Sequence, residues 1–194
     1  MSPFVKLLSV VLVLVTFIGS ASAGVLVDTL DKGPKTGEKI PDSLTARDQH
    51  GKIRDFQSLV GRRGLILHFY RPLVLCPTCE IQADQWSARA AEFRALGYEI
   101  AAVSNDVVDV LAQVAERRKI DFPLLSDPDS RIIASFGLLD DKYGPDSVWR
   151  GVALPMIFVI DRTCTVVRRF SSPDFRERPD VEEVLKLLRK GASG

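Results

Sequence analysis

The stretch that decides the fold is residues 64–96, GLILHFYRPLVLCPTCEIQADQWSARAAEFRAL. Its first seven residues are almost wholly apolar, as in a central strand covered on both faces. From residue 80 the pattern becomes helical, so Cys76-Pro77-Thr78-Cys79 falls at a strand-to-helix junction. There the first sulfur lies beside backbone N–H groups that have no helical partner, at the positive end of the helix dipole. Both favour thiolate over thiol. This reading makes Cys76 the nucleophile and the Cys76–Cys79 pair a couple that cycles between dithiol and disulfide. Pro77 suits the first helical turn, where its missing N–H costs nothing.

Other uses of the pair are weaker. Zinc wants four ligands, and beyond the pair the chain offers only Cys164, His50 and His68. A purely structural disulfide over so short a loop would restrict the unfolded chain little. A copper chaperone would need a third ligand downstream, and no His follows Cys79. Cys164, in Asp161-Arg162-Thr163-Cys164-Thr165, reads as a non-catalytic thiol in a hairpin turn. Nothing in the sequence calls for a cofactor or a metal.

Residues 1–23 read as a secretory signal: Lys6, an apolar run over 7–18, then small residues 19–23 ahead of a cut before Gly24. Export to the periplasm or the extracellular space follows, where disulfides persist. Left uncut, the segment would be a membrane anchor. Residues 24–36 form a loosely packed lead, and 37–194 one domain. With 26 basic and 25 acidic residues, the charge balance gives no support for nucleic-acid binding.

Downstream and upstream patterns complete the outline. Residues 41–54 alternate around His50-Gly51 as a short hairpin, and 56–60 add a helical turn. Apolar runs at 98–104 and 122–126 alternate with helical stretches, the first reaching 119 and capped by Asn105 or Asp106, the next over 131–136. After a polar loop at 140–150, residues 156–161 and 165–170 form an antiparallel pair, and 181–190 a terminal helix with one apolar face. The fold class is therefore α/β, a central mixed sheet flanked by helices with an N-terminal hairpin extension.

At this point the chain resembles the alkyl hydroperoxide reductase and thiol-specific antioxidant group, the peroxiredoxin-like redoxins of thioredoxin fold. The resemblance rests on Gly37-Glu38-Lys39-Ile40-Pro41, Phe69-Tyr70-Arg71-Pro72, the run Phe122-Pro123-Leu124-Leu125-Ser126-Asp127-Pro128-Asp129, and Phe158-Val159-Ile160-Asp161. Such proteins carry Pro-x-x-x-Thr-x-x-Cys, the last Cys attacking peroxide. Here Pro72 and Cys79 keep that spacing, while Cys76 stands at the Thr position. The family arginine that supports the thiolate belongs three residues before Phe158, where Pro155 stands.

Both departures point towards thiol-disulfide exchange. Pro155, before a strand, matches the proline that in thioredoxin-like proteins is cis and packs on the redox pair. His68, on the central strand, is an accessory base for Cys79 or a hydrogen-bonded structural group, and Arg71 a stand-in for the missing arginine. Tyr143 and Trp149 line a substrate groove or pack on the core. The expected function is thiol-disulfide oxidoreduction, with two-cysteine peroxidase as the alternative, and a cytochrome c maturation reductant or a redox sensor further behind. The expected partners are a protein thiol or disulfide client or a peroxide, plus an external thiol electron donor.

Overall fold

The computed structural model describes residues 28–42, 44–172, 174 and 176–191. The expected secretory signal lies outside them. No helix among the described residues is long and apolar enough to cross a membrane.

In chain order the elements are β1 (Thr45–Asp48), β2 (Ile53–Asp55), α1 (Phe56–Leu59), β3 (Gly64–Phe69), α2 (Pro77–Ala95), β4 (Tyr98–Ser104), α3 (Val108–Arg118), β5 (Leu124–Ser126), α4 (Arg131–Ser135), β6 (Met156–Asp161), β7 (Val166–Ser171) and α5 (Val181–Lys190). The strands form one sheet in the order β2-β1-β5-β4-β3-β6-β7. Pairing is parallel for β3–β4 and β4–β5, and antiparallel elsewhere. This is the mixed sheet with an N-terminal hairpin that the sequence implied. Every residue of β3 is buried, because it lies at the centre of the sheet with helices on both faces.

One face of the sheet, with Ile66, Tyr70, Ile100 and Ala102, packs against Trp86 and Phe93 of α2, Leu111 and Val114 of α3, and Val184 and Leu185 of α5. The other, with Leu65, Leu67, Phe69 and Val103, packs under Phe56 of α1, Ile132 and Ile133 of α4, and Phe136. Helix α5 spans the expected residues and buries Val181, Val184, Leu185 and Leu188. Asp180 caps it by accepting from Glu182 N and Glu183 N.

Three expectations need correction. The described part of the lead is latched rather than loose. Buried Arg169 of β7 donates to Asp28 Oδ1 and to the carbonyls of Gly33, Pro34 and Leu30, and Ser171 Oγ accepts from Thr29 N and Leu30 N. Gly33 turns there with φ 71°, where a Cβ would stand 3.1 Å from Leu138 and Phe158. Helix α3 starts at Val107 without a side-chain cap. Asp106 is drawn elsewhere, accepting from Leu73 N at 2.8 Å and Ser104 Oγ at 2.7 Å. Finally, no peptide bond among the described residues is cis. The chain reaches Pro155 already extended, with Ala153 bridged to Leu139 and Leu154 N donating to Leu138 O at 2.7 Å, so a trans proline continues directly into β6.

Candidate active site

Between β3 and α2 the chain makes a single 3-10 turn, Leu73–Leu75. The carboxylate of Asp106 holds its first N–H from below, which fixes where the following cysteine enters the helix. Cys76 is the N-cap of α2 and Pro77 its first residue. Cys76 Oaccepts from Cys79 N and Glu80 N, and Cys76 Sγ from Cys79 N at 3.3 Å. The two sulfurs are joined as a disulfide, with Cα atoms 5.2 Å apart. The first-turn geometry read from the sequence is thus in place.

The two sulfurs differ in surroundings. Cys76 retains 5 % exposure, at the edge, whereas Cys79 has none. On the sheet face that packs with Cys79 lie His68 of β3 and Tyr70 just after it, each almost wholly buried. The His68 ring meets Trp86 edge-on, with centroids 4.3 Å apart, and Tyr70 at 5.3 Å. Neither nitrogen of His68 has a hydrogen-bond partner among the described residues. Burial, helped by the charge of Arg178, pushes its pKa down to about 3. His68 is therefore neutral at working pH. It is neither the hydrogen-bonded structural histidine nor a competent base, because a proton taken from a thiol would create a buried cation there.

Arg71 is engaged away from the sulfurs. It donates to Asp140 Oδ2 at 2.7 Å and to Tyr143 Oη at 3.2 Å, and its guanidinium lies 5.6 Å from the ring centroids of both Tyr143 and Trp149. The two aromatic residues pack on this ion pair, so the 140–150 loop is closed over Arg71. Pro155 is buried at the start of β6, next to Met156, which pairs with Phe69 of β3.

The cation that does reach Cys79 is one the sequence gave no reason to single out. Arg178, in the connection between β7 and α5, places Nη2 3.7 Å from Cys79 Sγ. Burial, reinforced by the neighbouring charge of Arg71, lowers its pKa to about 10. Burial likewise raises the pKa of Asp106 and holds the Tyr70 phenol in its protonated form. Cys164 sits in the β6–β7 turn with φ 61°, and burial raises its thiol pKa. Asp161 of that hairpin pairs with Gly64, at the opposite end of β3 from Phe69. Cys164 is accordingly remote from the disulfide.

The family model described as AhpC/TSA family matches residues 36–169. The chain belongs to the AhpC/TSA family. Among its curated relatives, the Mycobacterium tuberculosis protein named putative peroxiredoxin Rv1608c is 32 % identical over 163 residues, which are 82 % of this chain and 99 % of that one. Peroxiredoxin Bcp of Escherichia coli is 27 % identical over 158 residues, covering 81 % and 97 %. Among solved structures, peroxidoxin BcpB from M. tuberculosis superposes with a TM-score of 0.69 at 29 % identity, over 81 % of this chain and 97 % of that one. The α/β fold of thioredoxin type is therefore that of the AhpC/TSA peroxiredoxins, and the enzyme class is a thiol-dependent oxidoreductase. Cys79, the sulfur against Arg178, is the one that keeps the family spacing from Pro72, and Cys76 stands where that pattern has threonine.

Proposed function

We propose that this protein is a two-cysteine peroxidase that reduces a hydroperoxide at Cys79 and is regenerated by an external thiol through Cys76. The observation that carries this reading is the division of labour between the sulfurs. Cys79 is closed to solvent under a cation, at the family's peroxide-attacking position, whereas Cys76, at the N-cap of α2, retains 5 % exposure. A small peroxide needs little space to reach a buried thiolate, but a protein disulfide needs an exposed sulfur.

The steps balance as follows. The Cys79 thiolate attacks one peroxide oxygen, the O–O bond breaks, and the departing oxygen leaves as water or an alcohol once protonated. The resulting Cys79 sulfenic acid condenses with the Cys76 thiol, forming the disulfide and releasing water. A donor thiolate then attacks Cys76 Sγ and Cys79 leaves as thiolate, the better leaving group when its anion is stabilised. A second donor thiol releases Cys76 and carries off the donor disulfide. Two electrons pass from donor to peroxide in each cycle.

This assigns the first attack to Cys79 rather than to Cys76, while keeping Cys76 as the sulfur of thiol-disulfide exchange. Exchange with a protein client, the reading reached from the Cys-Pro-Thr-Cys motif alone, would also go through Cys76 and is the second reading. Export, supported by the pattern of residues 1–23, would place both reactions in an oxidising compartment. The test is a stopped-flow rate of the reduced protein with hydrogen peroxide, read by Trp86 and Trp149 fluorescence. Cys76→Ser should keep the fast first phase and accumulate sulfenic acid, and Cys79→Ser should lose that phase. A wild-type rate no greater than that of a free thiol would refute the peroxidase and leave protein disulfide exchange.

A further inference from the structure

The contact between Arg178 and Cys79 has no counterpart in the sequence pattern of the active site. Arg178 lies ninety-nine residues downstream of Cys79, outside every strand and helix. Its position is nevertheless built. After β7 the chain makes a turn in which Asp174 N donates to Ser172 Oγ, Arg176 N to Asp174 Oδ1 and Glu177 N to Asp174 O, while Ser172 Oγ bonds Glu177 Oε2. On the far side Asp180 caps α5. Arg178 is thus held between a hydrogen-bonded turn and a helix docked on α2, with its side chain directed inwards over the sulfur.

The charges that face Cys79 can be taken element by element. On its own helix, Glu80 is occupied by Arg117 and Arg118. From β3 and the two residues after it come neutral His68, the protonated phenol of Tyr70, and Arg71, which Asp140 neutralises. Below the turn before α2, Asp106 is bonded to Leu73 N and Ser104 Oγ. From β6, Pro155 brings no charge. The β7–α5 connection brings Asp174 and Arg178. Of these, Arg178 is the cation whose donor atom lies against the sulfur.

We propose that Arg178 is a catalytic residue whose guanidinium holds Cys79 as thiolate and stabilises it again when it departs from the disulfide. An opposite charge within about 4–6 Å lowers the pKa of an acid by roughly 1–3 units, and a half-buried cation beside Tyr70 and Arg71 gains most when the sulfur beside it becomes an anion. The lowered pKa of Arg178, about 10, still leaves it charged at neutral pH. The α2 N-terminus contributes in the same direction.

The proposal deepens the peroxidase reading by naming the cation of its thiolate, yet its first readout involves no peroxide. In the full chain carrying Cys76→Ser and Cys164→Ser, only the Cys79 thiol remains, and its titration is followed by ultraviolet thiolate absorbance. Adding Arg178→Met should raise the Cys79 pKa enough to cut the thiolate fraction below that pKa by about tenfold or more. Arg176→Met, an exposed cation two residues away, serves as control and should leave the titration in place. Arg178→Gln gives the same reading if the Met variant unfolds. An unchanged Cys79 pKa in the Arg178 variants, or an equal shift with Arg176→Met, overturns the proposal. A shifted pKa in a protein inert towards peroxide would instead remove the peroxidase reading and leave Arg178 as the cation of an exchange thiolate.

Discussion

Arg71→Met should destabilise the protein severely while leaving its chemistry intact. The Arg71–Asp140 pair has side chains only 3 % and 6 % exposed, so removing the guanidinium strands a carboxylate in the interior. Breaking a buried pair from one side costs about 3–5 kcal/mol. Lys142, whose Nζ is 3.2 Å from the same Asp140 Oδ2 but whose side chain is half exposed, returns on the order of 1 kcal/mol. The net loss is then about 2–4 kcal/mol, a large share of the roughly 5–15 kcal/mol by which a domain is stable. With a urea slope of about 2 kcal/mol/M, the midpoint falls by about 1–2 M. The assay is equilibrium urea unfolding by tryptophan fluorescence on wild type, Arg71→Met, and Arg71→Met with Asp140→Leu. The double variant should recover much of the loss, since no charge remains buried. A loss below about 1 kcal/mol in the single variant would show that Asp140 is not stranded without the guanidinium, and a peroxide rate per folded molecule that collapses in both would mean that Arg71 acts on the sulfurs.

His68→Leu should be neutral or stabilising at pH 7, because it removes two buried nitrogens with no partner among the described residues. Its folded pKa of about 3 lies below its ordinary 6.5, so wild type carries stability present above pH 6.5 and lost as pH falls towards 3. That acid loss should disappear in the variant, as thermal unfolding across pH would show. Asp106→Asn keeps an acceptor for Leu73 N but removes a buried charge. Because burial raises the Asp106 pKa, the folded state holds its proton longer and wild-type stability falls as pH rises above the usual aspartate range. The variant should flatten that fall, leaving the share due to Asp127, whose pKa is raised in the same way. Cys164→Ser should leave the peroxide rate and the disulfide unchanged in a stopped-flow and thiol-counting comparison, since its turn lies at the far end of β3 and β6.

What could be read from the sequence was whatever repeats or runs. The apolar run of β3, the alternation of strands with helices, the Cys-x-x-Cys junction and the apolar face of α5 each announce themselves within a short window, and all are in the structure. Contacts that depend on chain brought from far away could not be read. Arg178 lies between charged residues and Pro179 in a segment without periodicity, so nothing local marks it as the neighbour of Cys79. Asp106 has the residue type and place of a helix cap. It serves the turn before α2 instead, accepting from Leu73 N thirty-three residues upstream. The burial of His68 was legible in an apolar strand, but its lack of any hydrogen-bond partner depends on Trp86 and Phe122 from other elements. The cis bond expected at Pro155 came from likeness to thioredoxins, and the extended approach through Ala153 and Leu154 makes it unnecessary.

The latch on the lead sets a direction for whatever is attached upstream. Asp28 bridges to Ser171, Ser171 pairs with Met156, and Met156 with Phe69, the last strand residue before the redox turn. Residue 28 is therefore fixed to the redox end of the sheet, beside the start of the segment that carries Arg178. Whatever precedes residue 28 is joined to the domain at that same end of the sheet. One strand ladder thus fixes both the point where the lead joins the domain and the start of the turn that carries the cysteines.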